Sequence, residues 1–317
     1  MQELYKNKKH NNSEDEIDIR ELFHVLIQGK WIIVSLTSLV SIIGIVYSLY
    51  LPNIYESKAL LVPVDSSSSI SGALQNYSGL AGLAGISLPS AGPKSNSTKA
   101  IETIGSLSFF KNNLMPQIFL PDLMAVKTWD FNTKTLAYDE SIYNKNSSTW
   151  VRDSSYQAKQ KPSAQESFAV FKSKHLNISE DKLNGFITLK IRHQSPFLAK
   201  KWAELIVEEV NSFYRKKDKS ESERAVIYLN QQISKTSLSE IKQVIAELLQ
   251  QETQKLTLIE SNKSYVFEYI DPPAVMEKKL EPQRSTICIL FALLGGMLSI
   301  LIVLIRHYVA REKASLA

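Results

Sequence analysis

Two uncharged apolar runs, Trp31 to Leu51 and Ser285 to Ile305, bracket a long stretch in which polar and apolar residues are mixed. A helix rises about 1.5 Å per residue, so ~20 residues cross the ~30 Å hydrocarbon layer, and each run predicts a transmembrane helix. The first run begins behind an acidic stretch and leaves through Leu51-Pro52-Asn53 with no small-residue cleavage site. That suits a signal anchor better than a cleaved signal peptide. Before it, Ser13-Glu14-Asp15-Glu16 opens a short helix with an apolar stripe of Ile19, Leu22, Phe23, Leu26 and Ile27. The stripe suits a helix on the membrane surface or a plain helical run-in to the span.

Between the spans the periodicity alternates between strand and helix. Tyr55 to Val64, Asn184 to His193 and Tyr265 to Ile270 read as strands. Thr98 to Asn113 repeats at helical spacing, whereas the residues from there to Pro162 look irregular. Ser163-Ala164-Gln165-Glu166 is a capping box, opening a helix with Phe168 and Phe171. Ser195-Pro196 opens another, followed at helical spacing by Leu198, Trp202, Leu205, Val210 and Phe213. Further boxes at Ser220–Glu223 and Ser237–Glu240 sit inside the helical pattern and suggest turns. The arrangement expected is a helical hairpin with its tip near 236–239 and arms of ~25 to 35 Å; one continuous helix is the competing reading. Asp271-Pro272-Pro273 ends the last strand, and an extended feed leads to the second span.

The fold class expected is therefore α+β: two transmembrane helices flank an extracytoplasmic domain with a small membrane-proximal α/β base and an extended helical hairpin. The divisions are a cytoplasmic segment over 1–30, spans over 31–51 and 285–305, the domain over 52–284, and a tail over 306–317. Within the domain, the base takes about 53–218 and 263–284 and the hairpin about 220–262. Lys and Arg beside the first span lean toward cytoplasmic termini. The tract from Gly72 to Gly92 is too rich in glycine for a helix in water and too apolar for a solvated linker, so it reads as a loop that orders against a neighbour.

Charge and candidate chemistry narrow the function. The net charge of +5 is spread through interspersed signs, which is no nucleic-acid footprint. Cys288, the single cysteine, lies in the second span, so the outer domain holds together without disulfides. The five histidines stand apart from metal-ligand spacing, and His193, at a strand end, reads as a structural hydrogen-bonding residue. Glu208-Glu209 suits a helix surface better than an acid/base pair, and no nucleophile elbow occurs. Trp129 and Trp150 can stack on sugars or simply pack. The tail is too short for a kinase or nucleotidase. Gly295, Gly296 and Ser299 make a small-residue face suited to close contact with Ser38, Ser41 and Gly44 of the first span.

Several short segments together resemble one known family. They are Ile17-Asp18-Ile19-Arg20-Glu21-Leu22, Tyr55-Glu56-Ser57, Leu123-Met124-Ala125-Val126-Lys127, His193-Gln194-Ser195-Pro196, Asp271-Pro272-Pro273-Ala274, and Glu281-Pro282-Gln283-Arg284 leading into Leu294-Gly295-Gly296. In this order, between two terminal spans, they resemble the polysaccharide co-polymerases, and among them the Wzz-type O-antigen chain-length determinants, over nearly the whole chain. One departure is that no proline stands between Pro273 and Pro282, where the family spaces several more regularly.

The resemblance implies a non-enzymatic, ring-like homo-oligomer in a Gram-negative inner membrane, with a periplasmic domain, both termini cytoplasmic and no cofactor or metal. Its role would be to regulate the modal chain length of O-antigen in lipopolysaccharide biosynthesis. Its partners would be the lipid bilayer, a separate O-antigen polymerase, and the undecaprenyl-linked or growing glycan. The candidate residues are Pro272, Pro273, Pro282, Gly295 and Gly296 for the pre-membrane motif and membrane packing, with Gly79, Gly82 and Gly85 as oligomer contacts. The alternatives are a periplasmic ligand-binding or sensory protein acting through a partner, which needs a well-formed pocket, and an anchored glycan enzyme, which needs two convergent carboxylates.

Overall fold

A computed structural model describes residues 19–64, 96–153 and 159–315. The chain divides into two units, residues 1–52 with 281–317, and residues 53–280. Helix α1 (Ile19–Gln28) and helix α2 (Lys30–Tyr50) belong to the first unit and are joined at Gly29.

The second unit is built on a four-stranded antiparallel sheet. It contains β1 (Tyr55–Pro63), β6 (Leu176–Glu180), β7 (Ile187–His193) and β8 (Phe267–Asp271) in the order β6-β7-β1-β8. Strand alternation decides which face is buried. Tyr55, Ser57, Ala59 and Leu61 of β1 point the same way as Ile187, Leu189, Ile191 and His193 of β7, and all are buried. The opposite face is polar: Glu56 pairs with Arg192 at 2.9 Å and Lys190 at 3.7 Å. A sheet with one apolar and one charged face takes helices on one side only.

Helix α3 (Asn96–Ile104), a helical run over 107–117, α4 (Leu120–Met124) and α5 (Ala164–Val170) fill that core, together with the first half of α6 (Pro196–Lys235). In α6 the buried residues Ala199, Trp202, Ala203, Ile206, Val207, Val210 and Tyr214 recur three and four apart, making one stripe. Ser195 caps α6 by accepting from the Leu198 N–H, and Ser163 caps α5 by accepting from the Glu166 N–H at 3.2 Å.

Beyond Tyr214, α6 leaves the sheet and packs instead against α7 (Ser239–Ser261). The turn between them falls at 236–238. Ser220–Glu223 is no cap, because α6 runs through it unbroken. Its charges are absorbed on the helix surface: Lys219 pairs with Glu260 at 2.5 Å, and the Ser220 hydroxyl accepts from Arg224 at 3.2 Å. The box at Ser237–Glu240 is also not the cap, since α7 starts after Leu238 with no side-chain cap bond.

Side chains of α6 tie the hairpin root to the sheet. Asn211 Nδ2 donates to the Phe267 carbonyl at 2.9 Å while its Oδ1 accepts from the Val266 and Phe267 N–H groups at 2.8 and 2.9 Å. Arg215 donates to the carbonyls of Asn262 and Lys263 at 2.7 and 2.6 Å. Val266 and Phe267 are buried, so losing Asn211 strands their backbone groups away from water. Asn211→Ala is therefore expected to destabilise the domain by about 2 kcal/mol. Urea unfolding would show it as a lower midpoint at unchanged slope.

The expected irregular stretch before Pro162 instead folds into two small hairpins. These are β2 (Val126–Asp130) with β3 (Thr135–Tyr138), and β4 (Tyr143–Asn144) with β5 (Thr149–Trp150). Strand β6 is a second element the periodicity does not show. The chain ends in α8 (Arg284–Ser315), which packs against α2.

Candidate functional site

In the first unit, α2 and the 284–309 part of α8 are long and apolar enough to cross a membrane. Neither is a buried core helix: Trp31 is 77% and Met297 70% exposed. Small residues line their contact. A Cβ added at Gly44 would lie 2.5 Å from the Phe291 ring, and one at Gly295 would lie 3.0 Å from Val40 Cβ and 3.3 Å from Thr37 Cα. Gly296 faces open space, with nothing within 4 Å of an added Cβ. Ser299 is fully buried, 3.3 Å from the Thr37 hydroxyl, and donates to the Gly296 carbonyl at 2.8 Å. Ser41 bonds within its own helix, to the Thr37 carbonyl, and Ser38 is exposed.

The proline candidates separate by environment. Pro273 and Pro282 are buried, whereas Pro272 is exposed. The segment after Pro273 runs beside the start of β1: the Ser57 hydroxyl donates to the Ala274 carbonyl at 2.8 Å and the Leu280 N–H to the Ile54 carbonyl at 2.8 Å. Gly79, Gly82 and Gly85, with the rest of the 72–92 tract, lie outside the described residues, as do the acidic residues Glu14, Asp15 and Glu16.

The hairpin presents an uncovered apolar surface. On α7, Ile241, Val244 and Leu248 share one exposed face, spaced three and four apart. On α6, Ile227 and Tyr228 are 59% and 60% exposed, and Leu238 is exposed at the tip. Among the described residues, no three His, Cys, Asp or Glu side chains are grouped to hold a metal ion.

His193 is a structural knot at the junction of β7 and α6. It is 2% exposed, and its ring stacks on His175 with centroids 5.5 Å apart and meets the edge of Trp202 at 4.9 Å. Nδ1 accepts the Ser195 N–H at 2.9 Å, so the proton sits on Nε2, which donates to the Asp122 carbonyl at 2.9 Å. Burial, with help from the neighbouring His175, pushes its pKa down to about 4. This bonding uses both ring nitrogens and leaves none for a ligand.

Trp150 packs on Tyr143, 5.2 Å between centroids, and Trp129 on Phe197 at 5.9 Å. Phe197, Asp122 and Tyr138, which surround Trp129 in space, carry no signal of their own in the sequence.

No curated protein matches the chain in sequence. Among solved structures it is similar to a full-length bacterial polysaccharide co-polymerase, at 14% identity over 93% of this chain and 99% of that one, with a TM-score of 0.39. It is also similar to a fragment of WzzB, a polysaccharide co-polymerase from Salmonella Typhimurium, at 14% identity over 72% of this chain and 100% of that one, with a TM-score of 0.30. Residues 15–112 match the family model for Wzz, chain length determinant protein. The matched residues include the first long apolar helix and the first strand of the sheet, and over them the chain is similar to the Wzz family of chain length determinant proteins.

Proposed function

We propose that this protein sets the modal length of an O-antigen-type surface polysaccharide as a non-catalytic oligomer in a Gram-negative inner membrane. The unit over 53–280 stands in the periplasm, both termini are cytoplasmic, and a separate polymerase extends the lipid-linked glycan. The observation that carries this reading is the family match over residues 15–112. The exposed stripe of Ile241, Val244 and Leu248 supports self-association, because a monomer rarely leaves a continuous apolar face in water. Hairpins of neighbouring copies would cover it. Contacts through Gly79, Gly82 and Gly85, and packing roles for Pro272, Pro273, Pro282, Gly295 and Gly296, belong to the same proposal.

Deleting the gene and separating lipopolysaccharide on a gel tests it. The expected result is loss of the modal band with polymer still made, and its return with the wild-type gene. Ile241→Asp with Val244→Asp should fail to restore the band and should sediment as a smaller species in detergent. Complete loss of polymer would instead indicate an enzyme, and an unchanged ladder would end the chain-length reading.

A further inference from the structure

Beside the His193 knot, the β2–β3 hairpin and the first turn of α6 line an open groove of about 500 Å³. Its floor is aromatic. The Trp129 and Phe197 rings meet at 5.9 Å, tilted 49° to each other, and Phe197 is 43% exposed although Ala199, Trp202 and Ala203 on the following turn are buried. The buried indole N–H of Trp129 has no hydrogen-bond partner among the described residues.

The rim is polar and charged. The Tyr138 hydroxyl donates to Asp122 Oδ1 at 2.6 Å, while Asp122 Oδ2 takes no hydrogen bond among the described residues. Burial raises the Asp122 pKa, against the opposing Tyr138 bond and the charges of Lys201 and Lys145. Lys134 adopts a left-handed backbone at the hairpin turn (φ 52°), which sets its ammonium 5.7 Å from the Phe197 ring centre. Lys145 lies 5.7 Å from the Tyr138 ring centre. Neither ammonium forms an ion pair among the described residues.

This pairing of surfaces selects a class of ligand. An apolar chain would cover the aromatic floor but leave a carboxylate and two ammoniums desolvated without partners. A polyanion would meet Asp122. A sugar ring matches both parts: its C–H face lies on an aromatic ring, and its hydroxyls donate to a carboxylate and accept from ammonium and indole N–H groups. We propose that this groove binds a sugar unit of the growing polysaccharide, stacked on Trp129 and Phe197 and held at its rim by Asp122, Lys134 and Lys145. The proposal rests on the chain-length reading for the identity of the polymer.

The test uses the full-length protein in detergent micelles. The probe is the delipidated surface polysaccharide of the producing strain, released by mild acid. Indole fluorescence titration and affinity electrophoresis read binding. Trp129→Ala is expected to weaken binding at least tenfold, and Lys134→Gln, on an exposed turn, at least threefold. Leu183→Ala, 98% exposed on the turn between β6 and β7, should bind like the wild type. Melting curves would show that the variants are folded. Should Trp129→Ala prove unfolded, Lys134→Gln with Lys145→Gln carries the comparison. Absence of binding by the wild type, or equal binding by the folded groove variants, overturns the proposal. The same genes expressed in the deletion strain separate the two ideas. If the wild type restores the modal band while the groove variants keep full binding, the groove assignment falls and the chain-length role stands. If the wild type binds through Trp129 but restores no band, the chain-length role falls instead.

Discussion

Phe110→Ala is expected to remove about 3 to 5 kcal/mol of stability from the domain, the range for deleting a buried aromatic ring. Phe110 is completely buried, and its ring lies 5.1 Å from Phe171 and 5.6 Å from Phe168. Phe110 and Phe171 each begin a widened helical turn, over Phe110–Leu114 and Phe171–His175. The two turns therefore meet ring to ring in the layer that covers the sheet, where Phe171 also approaches Trp202 at 6.3 Å. Surrounding side chains come from three separate segments of the chain, so they cannot close the space by one local shift. Phe131, 60% exposed on the β2–β3 turn, supplies the contrast: Phe131→Ala should change stability by no more than about 0.5 kcal/mol. Urea unfolding of the full chain in micelles, followed by near-UV circular dichroism, measures both. A loss below about 1 kcal/mol for Phe110→Ala would show that the helical run over 107–117 is not part of the cooperative core.

How much of this was legible in the sequence depends on whether a residue's neighbours are local. The spans declare themselves because a membrane helix must be apolar and uncharged along its whole length. Strands β1 and β7 show through alternation, since one face is core and the other carries Glu56, Lys58, Lys190 and Arg192. β6 stays hidden: it is five residues long, with only Leu176 and Ile178 pointing to the core, directly after a helix. β2 and β3 stay hidden because neither has a fully buried face. The Ser220–Glu223 motif misleads for a physical reason: a serine followed by glutamate serves equally as a cap or as a helix surface. Here the helix runs on and packs against α7, a long-range contact that sequence spacing cannot supply. The groove was illegible for the same reason, since Asp122, Trp129 and Phe197 become neighbours only when α4, β2 and α6 meet. His193 was half legible, as a strand-end hydrogen-bonding residue without its partners.

Those partners make acid sensitivity the second large effect. His193 is neutral in the folded protein because burial disfavours its charged form, which places its pKa at about 4 against an ordinary value of 6.5. The geometry works in the same direction, since a proton on Nδ1 would face the Ser195 N–H that now donates to it. The unfolded chain therefore binds a proton between about 6.5 and 4 that the folded chain refuses, and stability falls as pH drops through that window. At about 1.4 kcal/mol per pH unit, the loss by pH 4 approaches 3 kcal/mol from this residue. His175, also held below its ordinary value chiefly by burial, adds in the same direction. The paired carboxylate Glu166 has a lowered pKa, so its contribution is lost only below its ordinary value of 4.5, whereas Asp122, raised by burial, opposes the histidines because the folded chain takes up its proton first. Melting curves of the full chain should show a lower Tm at pH 5 than at pH 7. His193→Gln should melt lower than the wild type at pH 7 yet lose less between pH 7 and 5, because the group that titrates is gone. An equal loss in both proteins over that interval would mean that the buried imidazole is not what the acid attacks.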